Sequence, residues 1–68
     1  MTYRQLVRKL RNLDCEFMRQ SKGSHEIWAN RRNNRSAVVP NHPGDIPPGT
    51  LKAILTQLGI ERDEFDAA

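Results

Sequence analysis

Apolar residues recur at helical spacing near both ends of the chain. The first series is Tyr3, Leu6, Val7, Leu10 and Leu13. Its spacing of three and four residues predicts an amphipathic helix over residues 3–13. Thr2 and Gln5 stand three positions apart at the start of this helix, which predicts a capping box in which each side chain bonds the backbone amide of the other residue.

The second helical series lies near the C-terminus and consists of Leu51, Ile54, Leu55 and Leu58. We expect Thr50 or Gly49 to cap this helix and Gly59 to end it, since a left-handed conformation costs glycine little. The segment "ERDEF" that follows can add one helical turn and fold Phe65 back onto the core.

Between the helices, the pattern favours β-strands. Residues 15–20, "CEFMRQ", have strand character, with Phe17 as the expected core anchor. Residues 25–31, "HEIWANR", alternate more clearly. Ile27 and Trp28 point to opposite faces of such a strand, so we expect one of them in the core and the other on the outer face or at its rim.

The start of the third strand is indicated by a turn, and its end is indicated by a proline. The turn is "RNNR", because Asn33 and Asn34 tolerate left-handed conformations without much strain. Residues 36–40, "SAVVP", then form a strand that Pro40 ends, since proline cannot donate to a ladder. We therefore predict one α+β domain over residues 1–68, in the order α-β-β-β-α, with two helices packed on one face of a three-stranded antiparallel sheet.

Charge is unevenly distributed along the chain. Residues 1–35 contain nine Lys and Arg against three Asp and Glu, a net charge of +6, and residues 36–68 contain two against five, a net charge of −3. A basic half favours an anionic partner, and nucleic acid is the commonest such partner for a small cytosolic protein. Solubilising surface charge would produce the same asymmetry, so charge alone leaves both interpretations open.

Cysteine content and hydropathy point to the cytoplasm. Cys15 is the only cysteine, and a lone thiol fits a reducing compartment better than export. The polar, basic N-terminal segment does not resemble a signal peptide. The longest apolar run, residues 37–39, is far too short to span a membrane. We expect a cytoplasmic protein that does not associate with membranes.

Motifs for metals and cofactors are missing from the sequence. One cysteine and two histidines 17 positions apart lack the close ligand pairs of zinc sites. The four glycines are scattered and form no phosphate loop. Ser24 and His25 are neighbours in a strand, so their side chains point to opposite faces and do not make a catalytic triad. We expect no metal and no small-molecule cofactor.

The segment "KGSH", residues 22–25, carries the best candidate for chemistry. Histidine is the natural acid–base group near neutral pH, and His25 stands at the mouth of a predicted strand. RNA carries its own nucleophile, the 2′-hydroxyl, so a protein can cleave it without a metal by removing that proton and neutralising the phosphate charge that develops. RNA is therefore the substrate class that these residues favour.

Backbone amides and cations around His25 are the candidate phosphate-binding groups. Those near it in sequence or expected across the hairpin are Arg19, Lys22, Gly23, Ser24 and Arg35. The first helix adds a stripe of arginines at i, i+4 and i+7, formed by Arg4, Arg8 and Arg11. Such a stripe either stays solvated or binds a nucleic acid or another partner, and the sequence leaves both possibilities open.

Each of these residues also has an interpretation that involves no function. A lone histidine in a polar turn is more often a surface residue than a catalyst, and His42 is equally ambiguous with less charge around it. Trp28 could stack a base, although a single tryptophan in a small domain is more often in the core or at its rim. From the residues alone we predict a small basic domain with an RNA-facing side, but not yet an enzyme.

Three blocks of sequence resemble a known family. They are "RQSKGSHEIW", "VVPNHPGDIPPGTLKAIL" and "LGIERDEF". At these spacings and in this order they resemble the HicA toxin family, also described as YcfA-like, of HicAB toxin–antitoxin pairs, over nearly the whole chain. Asp14 stands where many relatives have glycine, and Cys15 stands where an aromatic residue is common.

The resemblance implies both a fold and an activity. The fold is like that of double-stranded-RNA-binding domains, and the activity is that of a metal-independent mRNA interferase that inhibits translation and growth. The single essential histidine of the family lies in the G-S-H segment and corresponds to His25. A HicB-type antitoxin is expected to bind the toxin and cover this histidine. His42 matches a frequent family histidine. The match alone does not assign it a general-acid role, since a loop role or an antitoxin contact is equally compatible.

Two alternatives remain open from the sequence. A non-catalytic RNA-binding module would suit the same fold, but such modules usually carry a lysine-rich cluster at the start of the second helix, where this chain has only Lys52. A decayed family member, retained to bind a partner, is the other alternative.

Overall fold

Three helices and three strands follow one another in the order α-β-β-β-α-α in the computed structural model, which describes residues 1–68. They are α1 (Tyr3–Asn12), β1 (Cys15–Gln20), β2 (His25–Asn30), β3 (Arg35–Pro40), α2 (Pro48–Leu58) and α3 (Arg62–Ala67). The predicted order is confirmed, and the predicted bounds of the first helix and the strands agree to within one residue. The turn expected after the second helix is a six-residue helix.

The strands form an antiparallel meander in the order β1-β2-β3. Phe17 pairs with Trp28 in the β1–β2 ladder, and the register then shifts between Phe17 and Arg19. In the β2–β3 ladder, His25 pairs with Pro40 at one end and Asn30 pairs with Arg35 at the other. Together with the helices this is the α+β fold of double-stranded-RNA-binding-like domains, as expected.

One face of the sheet carries the hydrophobic core. Trp28 is fully buried on that face, with Ala37 and Val39 of β3 beside it. The helices contribute most of the remaining buried residues, which are Leu6, Val7, Leu10, Leu51, Ile54, Leu55, Leu58 and Phe65. The expectation that Phe65 folds back onto the core is confirmed, since it is 1% exposed. No helix is both long enough and apolar enough to cross a membrane.

The prediction that Phe17 anchors β1 in the core is wrong. Phe17 is 46% exposed, whereas Cys15 is 4% exposed and is the only buried residue of the strand. The reason is that β1 is an edge strand, and its inner face is covered only at its start. Burial raises the pKa of the Cys15 thiol to about 11, so the thiol is protonated and inert near neutral pH.

Local chemistry at the N-terminal end of α1 agrees with the prediction. The Thr2 amide donates to Gln5 Oε1 over 2.9 Å, and the Gln5 amide donates to Thr2 Oγ1 over 3.3 Å, so the capping box is confirmed. Asp14, just after the helix, has a φ of 65°. This left-handed conformation favours glycine, and aspartate is one of the few other residues that adopt it.

The predicted start of α2 is wrong, while its predicted end is confirmed. The helix begins at Pro48, and its N-cap is Pro47, which makes no side-chain hydrogen bond, rather than Thr50 or Gly49. Proline is favoured at the first helical position because its φ is already helical and no backbone donor is needed there. Gly59 closes the helix in the left-handed region, with a φ of 69°.

Candidate functional site

His25 is the first residue of β2 and its side chain is exposed. Glu26 and Trp28 are buried on the helix-covered side, so strand alternation places His25 on the opposite, uncovered face. Pro40 lies across from it on β3. The imidazole therefore stands at the end of an open sheet face, at the mouth of the turn over residues 21–24.

Hydrogen bonds hold every carbonyl of the segment 22–25. The Lys22 carbonyl accepts from the His25 amide over 3.0 Å, and the Gly23 carbonyl accepts from Gln20 Nε2 over 2.9 Å. The Ser24 carbonyl accepts from the Asn41 amide over 2.8 Å, and the His25 carbonyl accepts from the Ser21 amide over 2.8 Å and from Gln20 Nε2 over 3.1 Å. All four carbonyls therefore already accept hydrogen bonds from groups within the protein.

Several backbone amides of the same turn have no hydrogen-bond acceptor within the protein. The N–H groups of Lys22, Gly23 and Ser24 donate to no acceptor in the protein. Gly23 has a φ of 55°, and a turn with successive free amides around a left-handed residue is an anion-binding arrangement. A β-carbon added at Gly23 would meet nothing within 4 Å, so the space beside this residue is open. Free amides with open space beside them make the turn a candidate anion site.

Two of the predicted cations lie beside this turn. Lys22 belongs to it, and Arg19 pairs with Ile27, which shares the open face with His25. Arg19 is therefore diagonal to His25 across the β1–β2 ladder, where the separation of such neighbours is about 7–8 Å. Neither Arg19 nor Lys22 forms an ion pair with a carboxylate. Both charges are available to an external anion.

Arg35 does not join this group, so its expected position across the hairpin from His25 is wrong. The register places Arg35 opposite Asn30, about 17 Å along β2 from His25 at a rise of 3.3 Å per residue. Arg35 packs against Gly59, since its Cδ would lie 3.1 Å from a β-carbon there. The reason is that the tight turn pairs the first residue of β3 with the last residue of β2.

The arginine stripe lies on the helix layer instead of the open face. Arg4, Arg8 and Arg11 are exposed on α1 and line a groove of about 600 Å³ together with Tyr3, Gln5, Val7 and Asn12. The arginines that pair with carboxylates are others, namely Arg31, Arg32 and Arg62. None of the three stripe arginines forms an ion pair with a carboxylate, and the stripe lies on the side of the sheet away from the His25 imidazole.

The edge strand β1 connects these two surfaces. Phe17 faces the helix layer, where its ring lies 6.3 Å from that of Trp28 at an interplanar angle of 80°, and the Arg11 guanidinium lies 5.2 Å from the same Trp28 ring. Met18, next along the edge, is 55% exposed. The sequence prediction missed Phe17 as an exposed residue because its apolar character indicated the core.

The remaining two candidates have limited roles in this site. Trp28 is fully buried, so it cannot stack on a base. His42 is exposed, and its Nδ1 lies 3.5 Å from the carbonyl oxygen of Pro43. It lines a groove of about 350 Å³ with Arg4 and the first residues of α1. The structure thus places His42 near the N-terminal end of the arginine stripe.

Glu26 is a buried charged residue that the sequence prediction passed over. It is 6% exposed, and its carboxylate accepts hydrogen bonds from Tyr3, Trp28 and Asn41. Burial by itself raises the pKa of Glu26, but these hydrogen bonds outweigh burial, and the net pKa is lowered. The alternation of β2 is the signal that could have found it, since Glu26 shares the inner face with Trp28.

A comparison with protein families gives a match. The family model described as HicA toxin of bacterial toxin–antitoxin matches residues 3–60, which include α1, the whole sheet, the "KGSH" turn and α2. A comparison with individual curated proteins finds no match.

Proposed function

The chain belongs to the HicA toxin family of bacterial toxin–antitoxin systems, and on this premise we propose that it is a metal-independent endoribonuclease that cleaves mRNA with His25 as its catalytic residue. The observation that carries the proposal is the turn that precedes His25. Its amides at residues 22–24 have no acceptor while its carbonyls are all engaged. Donors already aimed at a developing anion usually contribute most to catalysis.

The proposed reaction uses the 2′-hydroxyl of RNA. His25, as general base, removes the proton from this hydroxyl, whose oxygen then bonds to the adjacent phosphorus. The bond from phosphorus to the 5′-oxygen breaks, and the leaving oxygen takes a proton from water or from the protonated imidazole. The free amides, Lys22 and Arg19 neutralise the phosphate charge. Acid–base help from one group contributes about 10²–10⁴-fold, which suits a slow, unselective nuclease.

The RNA path that fits these surfaces crosses the edge of the sheet. The α1 groove supplies phosphate contacts through the stripe of Arg4, Arg8 and Arg11, and the β1 edge leads from that groove to the open face that bears His25. Exposed Phe17 offers a stacking surface on the way, as aromatic residues do in proteins that bind single-stranded nucleic acid. Unpaired RNA is therefore the form of substrate that we propose.

A substrate comparison tests the chemistry. Purified protein is expected to cleave a single-stranded RNA in the presence of EDTA and to leave a DNA of the same sequence intact. An RNA with one 2′-deoxy nucleotide at the mapped cleavage site is the matched control and is expected to resist cleavage there, because the nucleophile is missing. Cleavage that EDTA abolishes, or that proceeds at the 2′-deoxy position, would contradict the mechanism.

Replacing an arginine of the stripe tests the RNA path. Arg8→Gln, made together with His25→Ala so that the RNA survives, is expected to weaken RNA binding about equally for all sequences. The slope of log K against log salt concentration should fall by about 0.7 for each lost phosphate contact. Fluorescence anisotropy of labelled RNA over a range of salt concentrations measures both quantities.

The control for this experiment is Arg62→Gln, made in the same background. Arg62 is engaged with Asp66 over 3.0 Å, so its replacement is expected to leave the salt slope unchanged. An Arg8→Gln variant with the slope of the Arg62→Gln variant would remove the α1 groove from the proposed path.

A HicB-type antitoxin is the protein partner that we propose. Such a partner would neutralise the toxin by covering His25 and the neighbouring open face of the sheet. The exposed apolar side chain of Val38 on that face supports this docking position. We assign the activity to the cytoplasm, where mRNA is translated.

A further inference from the structure

The buried carboxylate of Glu26 divides its two oxygens between the core and the loop after β3. Oε1 accepts from the Tyr3 hydroxyl over 2.6 Å and from the Trp28 indole N–H over 2.9 Å. Oε2 accepts from Asn41 Nδ2 over 2.9 Å. Neither oxygen forms an ion pair with a Lys or Arg side chain. Since a buried charge is costly unless its hydrogen bonds are satisfied, these three donors are what keep the carboxylate in place.

Asn41 connects the Glu26 carboxylate to the turn before His25. Its side chain bonds Glu26, and its backbone amide donates to the Ser24 carbonyl over 2.8 Å. Asn41 is therefore hydrogen-bonded both to Glu26 and to Ser24, the two neighbours of His25 in the sequence. These two hydrogen bonds and the backbone from Ser24 to Glu26 form a closed ring that includes His25.

The ring has a direct consequence for the peptide unit between Ser24 and His25. A carbonyl and the next amide belong to one planar peptide unit. The Ser24 carbonyl and the His25 amide share such a unit, and the His25 amide donates to the Lys22 carbonyl. The hydrogen bond from the Asn41 amide to the Ser24 carbonyl therefore fixes this peptide plane. The plane in turn fixes the position of the His25 Cα, which bears the imidazole. Gln20 holds the Gly23 carbonyl from the β1 side.

We propose that Glu26 and Asn41 are positioning residues that hold the His25 imidazole and the free amides of the turn in their reactive arrangement. This inference rests on the proposed function and adds two residues that act through His25. Displacement of reacting groups by about 1 Å can cost on the order of 100-fold in rate. The effect is therefore expected in kcat more than in KM, because the arginine stripe proposed to bind RNA is left unchanged.

A charge-complementary pair of substitutions tests the proposal. Asn41→Asp puts a second carboxylate against Glu26, so the two repel each other and the hydrogen bond is lost. Adding Glu26→Gln restores a donor and an acceptor, with the directions exchanged. The measurements are kcat and KM for cleavage of a single-stranded RNA, and hydrogen exchange of the Asn41 amide. Asn34→Asp, in the turn at the other end of the sheet, controls for the added negative charge.

Asn41→Asp is expected to lower kcat about 10- to 100-fold, with KM within about twofold, and to speed exchange of the Asn41 amide. The double variant is expected to recover most of both losses, and Asn34→Asp should behave as wild type. Thermal unfolding of each variant shows whether it remains folded. Wild-type kcat in Asn41→Asp, or a double variant that is no better than the single one, would overturn the proposal.

Failure of the proposed function gives a different result. A wild-type protein that does not cleave RNA would refute the nuclease assignment. In that case the Asn41 amide exchange and the NMR shifts of the Gly23 and Ser24 amides still report on the ring. Unchanged exchange and shifts in Asn41→Asp would refute the positioning role by themselves.

Discussion

Replacing His25 by alanine is expected to abolish the growth inhibition that follows induced expression of this chain in a bacterial host. The side chain is exposed, so its removal should leave the fold intact. The rate of RNA cleavage should fall by about 10²–10⁴-fold, the contribution of one acid–base group. Growth curves and the integrity of total mRNA after induction measure the effect in cells, and cleavage of a single-stranded RNA measures it in vitro.

His42→Ala is the matched control for this experiment. His42 lies outside the turn over residues 21–24, and its Nδ1 lies 3.5 Å from the Pro43 carbonyl oxygen, so we expect this variant to retain most of its toxicity and cleavage. Equal toxicity of wild type and His25→Ala would refute the catalytic assignment and would favour a non-catalytic RNA-binding or partner-binding module. If His25→Ala binds RNA fully but does not cleave it, the result would support the proposal that the arginine stripe binds RNA and that the turn with His25 carries out the cleavage.

Replacing Trp28 by alanine is expected to unfold the protein in a large fraction of molecules. Trp28 is fully buried and its indole N–H bonds Glu26, so the change leaves a cavity and removes a donor from a buried carboxylate. Loss of a buried tryptophan costs about 3–5 kcal/mol. The whole free energy of unfolding for a chain of this length is about 3–10 kcal/mol, at 0.05–0.15 kcal/mol per residue. Far-UV circular dichroism during thermal and urea unfolding measures the loss.

Ile27→Ala provides the control on the same strand. Ile27 is the next residue but faces the uncovered side of the sheet, where it is only half-buried. Its replacement is expected to cost about 1 kcal/mol or less. A larger loss for Ile27→Ala than for Trp28→Ala would mean that the assignment of the two faces of β2 is reversed.

Particular residues show why much of the fold could be predicted from the sequence. The capping box of Thr2 and Gln5, the left-handed Gly59 and the apolar spacing of both long helices involve residues a few positions apart. Such local chemistry decides the conformation of its own segment. The start of α2 was the exception. A cap at Thr50 or Gly49 was expected, but the helix begins at Pro48, because proline is favoured at the first helical position.

The turn before His25 could be predicted in its residues but not in its geometry. The sequence indicates His25, Gly23 and Ser24 as candidate residues of the proposed site. That the turn leaves its amides free depends on acceptors and donors elsewhere, in particular on Gln20 and Asn41. No spacing rule connects Asn41 with Ser24, since the contact arises from the register of β2 and β3.

The sequence by itself determined the order of the elements, the alternation of side chains between the two faces along β2 and the candidate histidine. These depend on periodicity and on the intrinsic preferences of nearby residues. Only the tertiary structure decided that Phe17 is exposed, that Arg35 lies far from His25 and that Glu26 is buried beneath the turn. Those outcomes depend on which strand is at the edge, on how strands pair and on where the helices cover the sheet, and these are properties of contacts between residues distant in the chain.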